Sequence, residues 1–231
     1  MPSPKSVPIK IDVGKPGIVS GLFLSPSRPS FGCVFAHGAG AGMNHTFMET
    51  VAAELAERGV ATLRYQFPYM EAGGKRPDPP AIAQATVRAA VLAMQHKVPD
   101  VPLIAGGKSF GGRMTSQAQA AKPLDGVVAL AFFGFPLHPA NQPSITRAEH
   151  LSEIHVPMLF LQGTRDALAR QEDIETVVRR LGASAKLFLV PDADHSFHVP
   201  KKSGKTDVQV RTEILDELVA WGNMIVSDSK T

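Results

Sequence analysis

Eight short apolar runs, separated by stretches of helical pattern, restrict what this chain can fold into. They are "VPIKIDV", "GIVSGLFLS", "FGCVFAHG", "VATLRYQF", "VPLIAGG", "GVVALAFFGF", "VPMLFLQG" and "AKLFLVPD". Several are apolar without a break, as strands are when a sheet is covered on both faces. Between them, "NHTFMETVAAELAERG" puts Phe47, Val51 and Leu55 on one stripe, with Asn44 or Thr46 as start signal and Gly59 as stop. "PDPPAIAQATVRAAVLAMQHK" reads as a helix after its prolines, and "SFGGRMTSQAQAA" brings Met114, Ala118 and Ala121 to one face. "RQEDIETVVRRLG" and "DVQVRTEILDELVAWGNMIV" are amphipathic in the same way. Strands alternating with helices predict an α/β architecture: about eight strands in a mostly parallel sheet, with helices on both faces. The first two runs have no helix between them, which predicts an antiparallel edge. The 231 residues suit one domain spanning 1–231. Ligands of such sheets bind beyond the carboxyl ends of the strands, so polar residues directly after apolar runs are the candidates for chemistry.

The stretch "LIAGGKSFGGR", Leu103 to Arg113, is such a place and has two readings. A phosphate-binding P-loop needs G-x-x-x-x-G-K-[ST], and with Gly107 as its second glycine the first would fall on Pro102. Proline has no N–H and a fixed φ, so that loop fails. The other reading is G-x-S-x-G, a sharp turn from strand to helix that exposes a serine. The flanking run and the helical stretch supply that context, and Gly107 and Gly111 fit a tight turn with close strand–helix approach.

Two further polar residues follow apolar runs in the same manner: Asp166 after "VPMLFLQGTR" and His195 after "AKLFLVPDAD". A serine hydroxyl needs a base within hydrogen-bond reach, and imidazole has the right pKa. A carboxylate on the far ring nitrogen fixes the tautomer and stabilises the imidazolium. Ser109, Asp166 and His195 are therefore the expected nucleophile, acid and base, in the chain order Ser…Asp…His. Alternatives exist for each: Ser109 as a helix cap, Asp166 as a turn residue, His198 as the base, and a metal held around "DADHSFH".

The loop "FAHGAGAGMNH" is a fourth element. As a dinucleotide fingerprint it fails, because Met43 stands where the third glycine belongs. As a loop beside the turn, Gly38 and Gly40 give flexible backbone, and the N–H groups of Ala39 and Phe110 are the expected oxyanion donors. His37 is expected to support the loop, and His45 to start the next helix on the pocket rim. Lys108, at the first variable position of the turn, is expected to face the pocket.

Charge and composition exclude other classes. The net charge is +3, and the cluster "KKSGK" at 201–205 reads as a solvated loop, so neither nucleic acid nor a membrane is an expected partner. No run approaches the roughly 20 apolar residues of a membrane span. The N-terminal "MPSPKSVPIKID" has no secretory pattern, and the single Cys33 allows no intrachain disulfide, which together point to the cytoplasm. Cys33 lies in an apolar run and is expected to be buried.

The segments "FAHGAGAGMNHTFM", "LRYQFPYME", "GGKSFGGRM", "FFGFPLHP", "RAEHL", "FLQGTRD" and "ADHSF" together resemble the α/β-hydrolase-like family of the testis-expressed and NSL-complex subunit proteins, whose bacterial members are dienelactone-hydrolase-like. The resemblance covers about residues 32 to 198 and implies an α/β-hydrolase fold, with Ser109 as nucleophile, Asp166 as acid and His195 as base. It assigns no role to Arg64, Arg113, Arg147 or His150. The three arginines are expected to form structural ion pairs. Some eukaryotic relatives serve as interaction modules, so a catalytically silent scaffold is the rival to a serine hydrolase of small acyl substrates. Neither cofactor nor metal is implied, and oligomeric state is not read. Only about twenty residues separate the end of "GVVALAFFGF" from the next strand, which predicts a short loop and no cap domain. The cleft is therefore expected to be shallow, rimmed by that loop with His138 and by Tyr69.

Overall fold

The computed structural model describes residues 5–228. Among these, eight strands form one sheet in the order β1-β2-β4-β3-β5-β6-β7-β8. They are β1 (Val7–Asp12), β2 (Ile18–Leu24), β3 (Phe31–Ala36), β4 (Val60–Tyr65), β5 (Leu103–Lys108), β6 (Val127–Phe133), β7 (Met158–Gly163) and β8 (Ala185–Val190). Each falls on one of the eight apolar runs. β1 pairs antiparallel with β2, and β2 antiparallel with β4. From β4 to β8 every pairing is parallel. The expected antiparallel edge is present, and it comprises the two strands that lack a crossover helix between them.

The unbroken apolar runs feed two cores. On β3, Phe31, Cys33 and Phe35 point to one face of the sheet, while Val34 and Ala36 point to the other. β6 divides likewise, with Ala129, Ala131 and Phe133 against Leu130 and Phe132. The first face is covered by α1 (Thr46–Glu57), through Met48, Val51 and Leu55, and by α6 (Asp207–Asp228), through Val210, Ile214, Leu218 and Trp221. The second is covered by α3 (Pro80–Lys97), α4 (Phe110–Ala121) and α5 (Gln171–Leu181). α2 (Pro68–Glu71) is a single turn after β4.

Chain order reverses at β3. The chain leaves β3 through α1 to reach β4 on one side, then crosses by α3 to β5 on the other. The carboxyl ends of β3 and β5 therefore diverge above the sheet, and the crevice between them is where a ligand can enter. Between β6 and β7 the chain forms only one 3₁₀ segment, Thr146–Glu153, so no cap covers this end of the sheet. Among the described residues, no helix is long and apolar enough to cross a membrane.

Candidate active site

β5 ends at Lys108, and α4 begins two residues later at Phe110, so the whole reversal falls on Ser109. Ser109 adopts φ 52° and ψ −117°, a region that costs a non-glycine residue on the order of 1–3 kcal/mol. Its N–H is tied to Phe133 O on β6 at 3.1 Å, and its carbonyl accepts from Arg113 N–H at 3.1 Å. The turn also presses against the end of β3. A Cβ on Gly111 would stand 2.5 Å from His37 O and 2.6 Å from Ala36 O, and one on Gly107 would strike the Ala36 carbonyl. Glycine is required at both positions by the packing of the turn.

The side chain of Ser109 makes no cap bond to its own helix. Its Oγ lies 2.8 Å from Nε2 of His195, whose Nδ1 lies 2.7 Å from Oδ2 of Asp166. Asp166 accepts two further bonds, from Leu168 N–H on Oδ1 at 2.8 Å and from Gln162 Nε2 on Oδ2 at 2.6 Å. With Nδ1 donating to the carboxylate, Nε2 is left as the acceptor for the serine hydroxyl. The Asp166 side chain is fully buried, while the His195 side chain is 23% exposed, so solvent reaches the imidazole and not the carboxylate. The other histidine of that segment, His198, instead donates to Asp207 at 2.9 Å, a carboxylate that holds its pKa up.

Gln162 was not singled out by the sequence reading. It sits in β7, completely buried, and its Oε1 accepts from Phe135 N–H at 2.8 Å while its amide donates to Asp166. The available signal was a polar residue inside an otherwise apolar strand.

The loop after β3 is held from beneath. His37 is fully buried; Nδ1 donates to Gly38 O at 2.8 Å, and Nε2 accepts from Phe67 N–H at 3.2 Å. Burial lowers its pKa to about 4, so it is a neutral prop. Buried Arg64 donates to Met43 O at 2.9 Å, and Gln66 accepts from Met43 N–H at 2.8 Å. Gly38 stands against the turn, where a Cβ would lie 3.6 Å from Ser109 Cβ. Among the described residues, neither Ala39 N–H nor Phe110 N–H has an acceptor. Phe110 opens α4, where the first N–H groups have no intrahelical partner.

A cleft of about 370 Å³ opens over Ser109 and His195. Gly38, Ala39, His45 and Lys108 line it, together with Ala41, Phe47, Met48, Leu168 and Ser196. His45 both caps α1, accepting from Phe47 N–H at 3.2 Å, and faces the cleft. The apolar wall of the cleft is thus built by the loop after β3, by α1 and by Leu168, and the loop after β6 takes no part.

Several expectations require correction. Tyr69 does not line the cleft, because α2 turns its ring inward against His37, at 6.1 Å between ring centroids, and Phe67. His138 does not line it either: its N–H is bound to Leu168 O, and the side chain is buried, with Nδ1 donating to Pro139 O. Gly40 faces solvent in a left-handed turn, φ 77°, outside the lining. Arg64, Arg113 and Arg147 form no ion pair among the described residues. Arg64 serves backbone carbonyl instead, and His150 beside Arg113 meets Ser116 Oγ at 2.7 Å. Cys33, by contrast, is buried as expected, which pushes its thiol up to about 12. Among the described residues, no three His, Cys, Asp or Glu side chains converge as a metal site.

Residues 30–223 match the family model described as alpha/beta hydrolase domain. The fold is similar to that of a serine hydrolase without a lid from Xanthomonas campestris, with a TM-score of 0.74 at 20% identity over 94% of this chain and 95% of that one. It is also similar to a dienelactone hydrolase from Anabaena variabilis, with a TM-score of 0.73 at 20% identity over 94% and 98%. A cold-adapted esterase from an Arctic intertidal metagenomic library gives 0.71 at 17% identity over 95% of both chains. At these identities the likeness is one of fold.

Proposed function

Because the chain belongs to the alpha/beta hydrolase domain family, we propose that it is a serine hydrolase acting on carboxylic esters, or similar small acyl compounds, through an acyl-enzyme. The unbroken chain from Asp166 through His195 to Ser109, with links of 2.7 and 2.8 Å, carries this reading. Ser109 Oγ attacks the substrate carbonyl carbon as its proton passes to Nε2 of His195. The carbonyl π electrons move onto oxygen, and the free N–H groups of Ala39 and Phe110 stabilise the resulting oxyanion. Asp166 keeps the imidazole in the needed tautomer and stabilises its charged form. When the tetrahedral intermediate collapses, the bond to the leaving oxygen breaks and His195 returns the proton to it. Water, deprotonated by His195, then releases the acid from Ser109 by the same steps in reverse. No cofactor or metal enters this scheme. A cytoplasmic site of action, supported by the single Cys33, a single domain over 1–231, supported by the chain length, and membership of the narrower testis-expressed and NSL-complex subunit group, supported by the motifs quoted above, belong to the same proposal.

The rival is a silent scaffold that binds a protein partner. Aligned hydrogen bonds and a strained serine are features that a scaffold has no need to keep. A fluorophosphonate probe separates the two readings, because it reacts with an activated serine alone. The wild-type protein should be labelled at Ser109 and should cleave p-nitrophenyl acetate. Ser109→Ala should lose labelling and about three to six orders of magnitude in kcat, with an unchanged melting transition. A protein that folds normally yet takes no label would favour the scaffold.

A further inference from the structure

Lys108 immediately precedes the nucleophile, and its stem passes beside Gly38, where a Cβ would lie 3.7 Å from the lysine Cγ. Its Nζ donates to the backbone carbonyl of His195 and stands 5.1 Å from the centroid of the Phe197 ring. Among the described residues no other group donates to that carbonyl. The segment it holds is bounded by Asp192 and Phe197, with φ of 61° and 64°. Both are non-glycine residues in the left-handed region, so the segment does not rest in its lowest local conformation. The flanks of the segment are tied by Asp192 N–H to Thr164 Oγ1, by Arg165 N–H to Ala193 O and by Asp194 N–H to His198 O, and Asp194 also accepts from Ser196, Phe197 and His198 N–H, but among the described residues the backbone of His195 itself has no bond other than that from Lys108. Gly134 leaves the room for this arrangement: a Cβ there would lie 2.9 Å from Lys108 Nζ and 3.3 Å from His195 Nδ1.

Resting on the hydrolase reading above, we propose that Lys108 is a positioning residue whose charged ammonium holds the His195 backbone, so that the imidazole spans Ser109 and Asp166, and that hydrolysis declines at alkaline pH as this ammonium loses its proton. Desolvation pushes the Lys108 ammonium down to about 8, against the opposing pull of Asp166 and Asp194. These two carboxylates and the His195 imidazole are the titratable groups that face it; Gly38, Gly134 and Phe197, from the other packed segments, carry no charge. Below about 8 the ammonium is charged, and both the charge-assisted bond and the attraction to the Phe197 ring are present. Above it the amine is neutral, the ring contact lapses and the bond to the carbonyl weakens.

The test is the pH profile of p-nitrophenyl acetate hydrolysis by wild type and Lys108→Met, corrected for the spontaneous reaction, together with proton NMR of the His195 Nδ1–H. That resonance is assigned by its absence in His195→Gln. Wild type should show a plateau and a falling limb near pH 8. The variant should lack the falling limb, with KM little changed and kcat lower by up to about 100-fold, the scale of a misplaced catalytic group. The Nδ1–H signal should weaken through pH 8 in wild type and be weak already at pH 7 in the variant. A variant with wild-type kcat, or one that keeps the alkaline limb, overturns the proposal, as does an unchanged Nδ1–H signal at pH 7. If wild type takes no fluorophosphonate, the hydrolase reading fails separately, and the NMR titration of wild type alone decides whether Lys108 holds His195.

Discussion

Gln162 links Asp166 to the sheet, and it does so with both ends of one amide. Phe135 N–H must face its oxygen, so its nitrogen must face Asp166. Gln162→Leu keeps the volume but strands a buried N–H and removes one donor from the carboxylate. An unpaired buried N–H costs about 1–3 kcal/mol, so urea unfolding should show a loss of that size. Ester turnover should fall mainly in kcat, since Asp166 can then rotate away from His195; a variant with normal kcat would mean that Leu168 N–H alone suffices to orient it. Ser109, Asp166 and His195 were legible because each stands directly after an apolar run. Gln162 lies within such a run and reads there as a mere interruption. Tyr69 and His138 were misread for a different reason: the sequence puts them beside the right strands but does not say which way the backbone turns their side chains. The arginines were read as ion-paired because the sequence does not show what surrounds them, whereas Arg64 donates to a main-chain carbonyl and a serine while its buried Nε has no partner among the described residues.

At the scale of elements, the site depends on how closely α4 approaches β3. The helix carries Phe110 N–H, the strand end carries Ala39, and Gly111 sits where the two meet. Gly111→Ala would add a methyl 2.5 Å from His37 O and 2.6 Å from Ala36 O, both rigid backbone atoms. The helix must withdraw, at a cost of roughly 1–3 kcal/mol for overpacking. Withdrawal shifts Phe110 N–H relative to Ser109, so kcat and the fluorophosphonate labelling rate should fall together. A stable variant with normal labelling would mean that the oxyanion loop follows the helix outward. The eight strands were legible because fully covered strands leave continuous apolar runs. α2 was not, since four residues, Pro68–Glu71, are too few to show a helical period. At the start of α1 the helical pattern pointed to Asn44 or Thr46 and the loop reading to His45, and it is His45 that supplies the capping acceptor. Imidazole is an uncommon cap, chosen here at a position that also faces the cleft.

For the whole molecule, the decisive feature is how little chain lies above the carboxyl end of the sheet. The connection from β6 to β7 contains one short 3₁₀ segment, and it folds down beside α4 instead of across the cleft. The cleft, at about 370 Å³, is near the lower end of ligand sites, roughly 300–1,000 Å³. Its apolar wall consists of Ala39, Ala41, Phe47, Met48 and Leu168. An acyl chain gains about 0.8 kcal/mol for each CH₂ that such a wall covers, roughly a fourfold gain in kcat/KM per carbon. The gain ends where the wall ends, because further carbons remain in water and contribute nothing to transition-state binding. Among p-nitrophenyl esters, kcat/KM should therefore rise from acetyl to butyryl and fail to rise beyond it, with octanoyl no better. With no lid to open, the rate should show no jump at the micellar concentration of the longer esters. The measurement is kcat/KM across the acyl series in the monomeric concentration range. A steady increase up to the twelve-carbon ester would contradict the open cleft, since that much buried chain requires a wall this chain does not build alone and a second subunit would have to supply it.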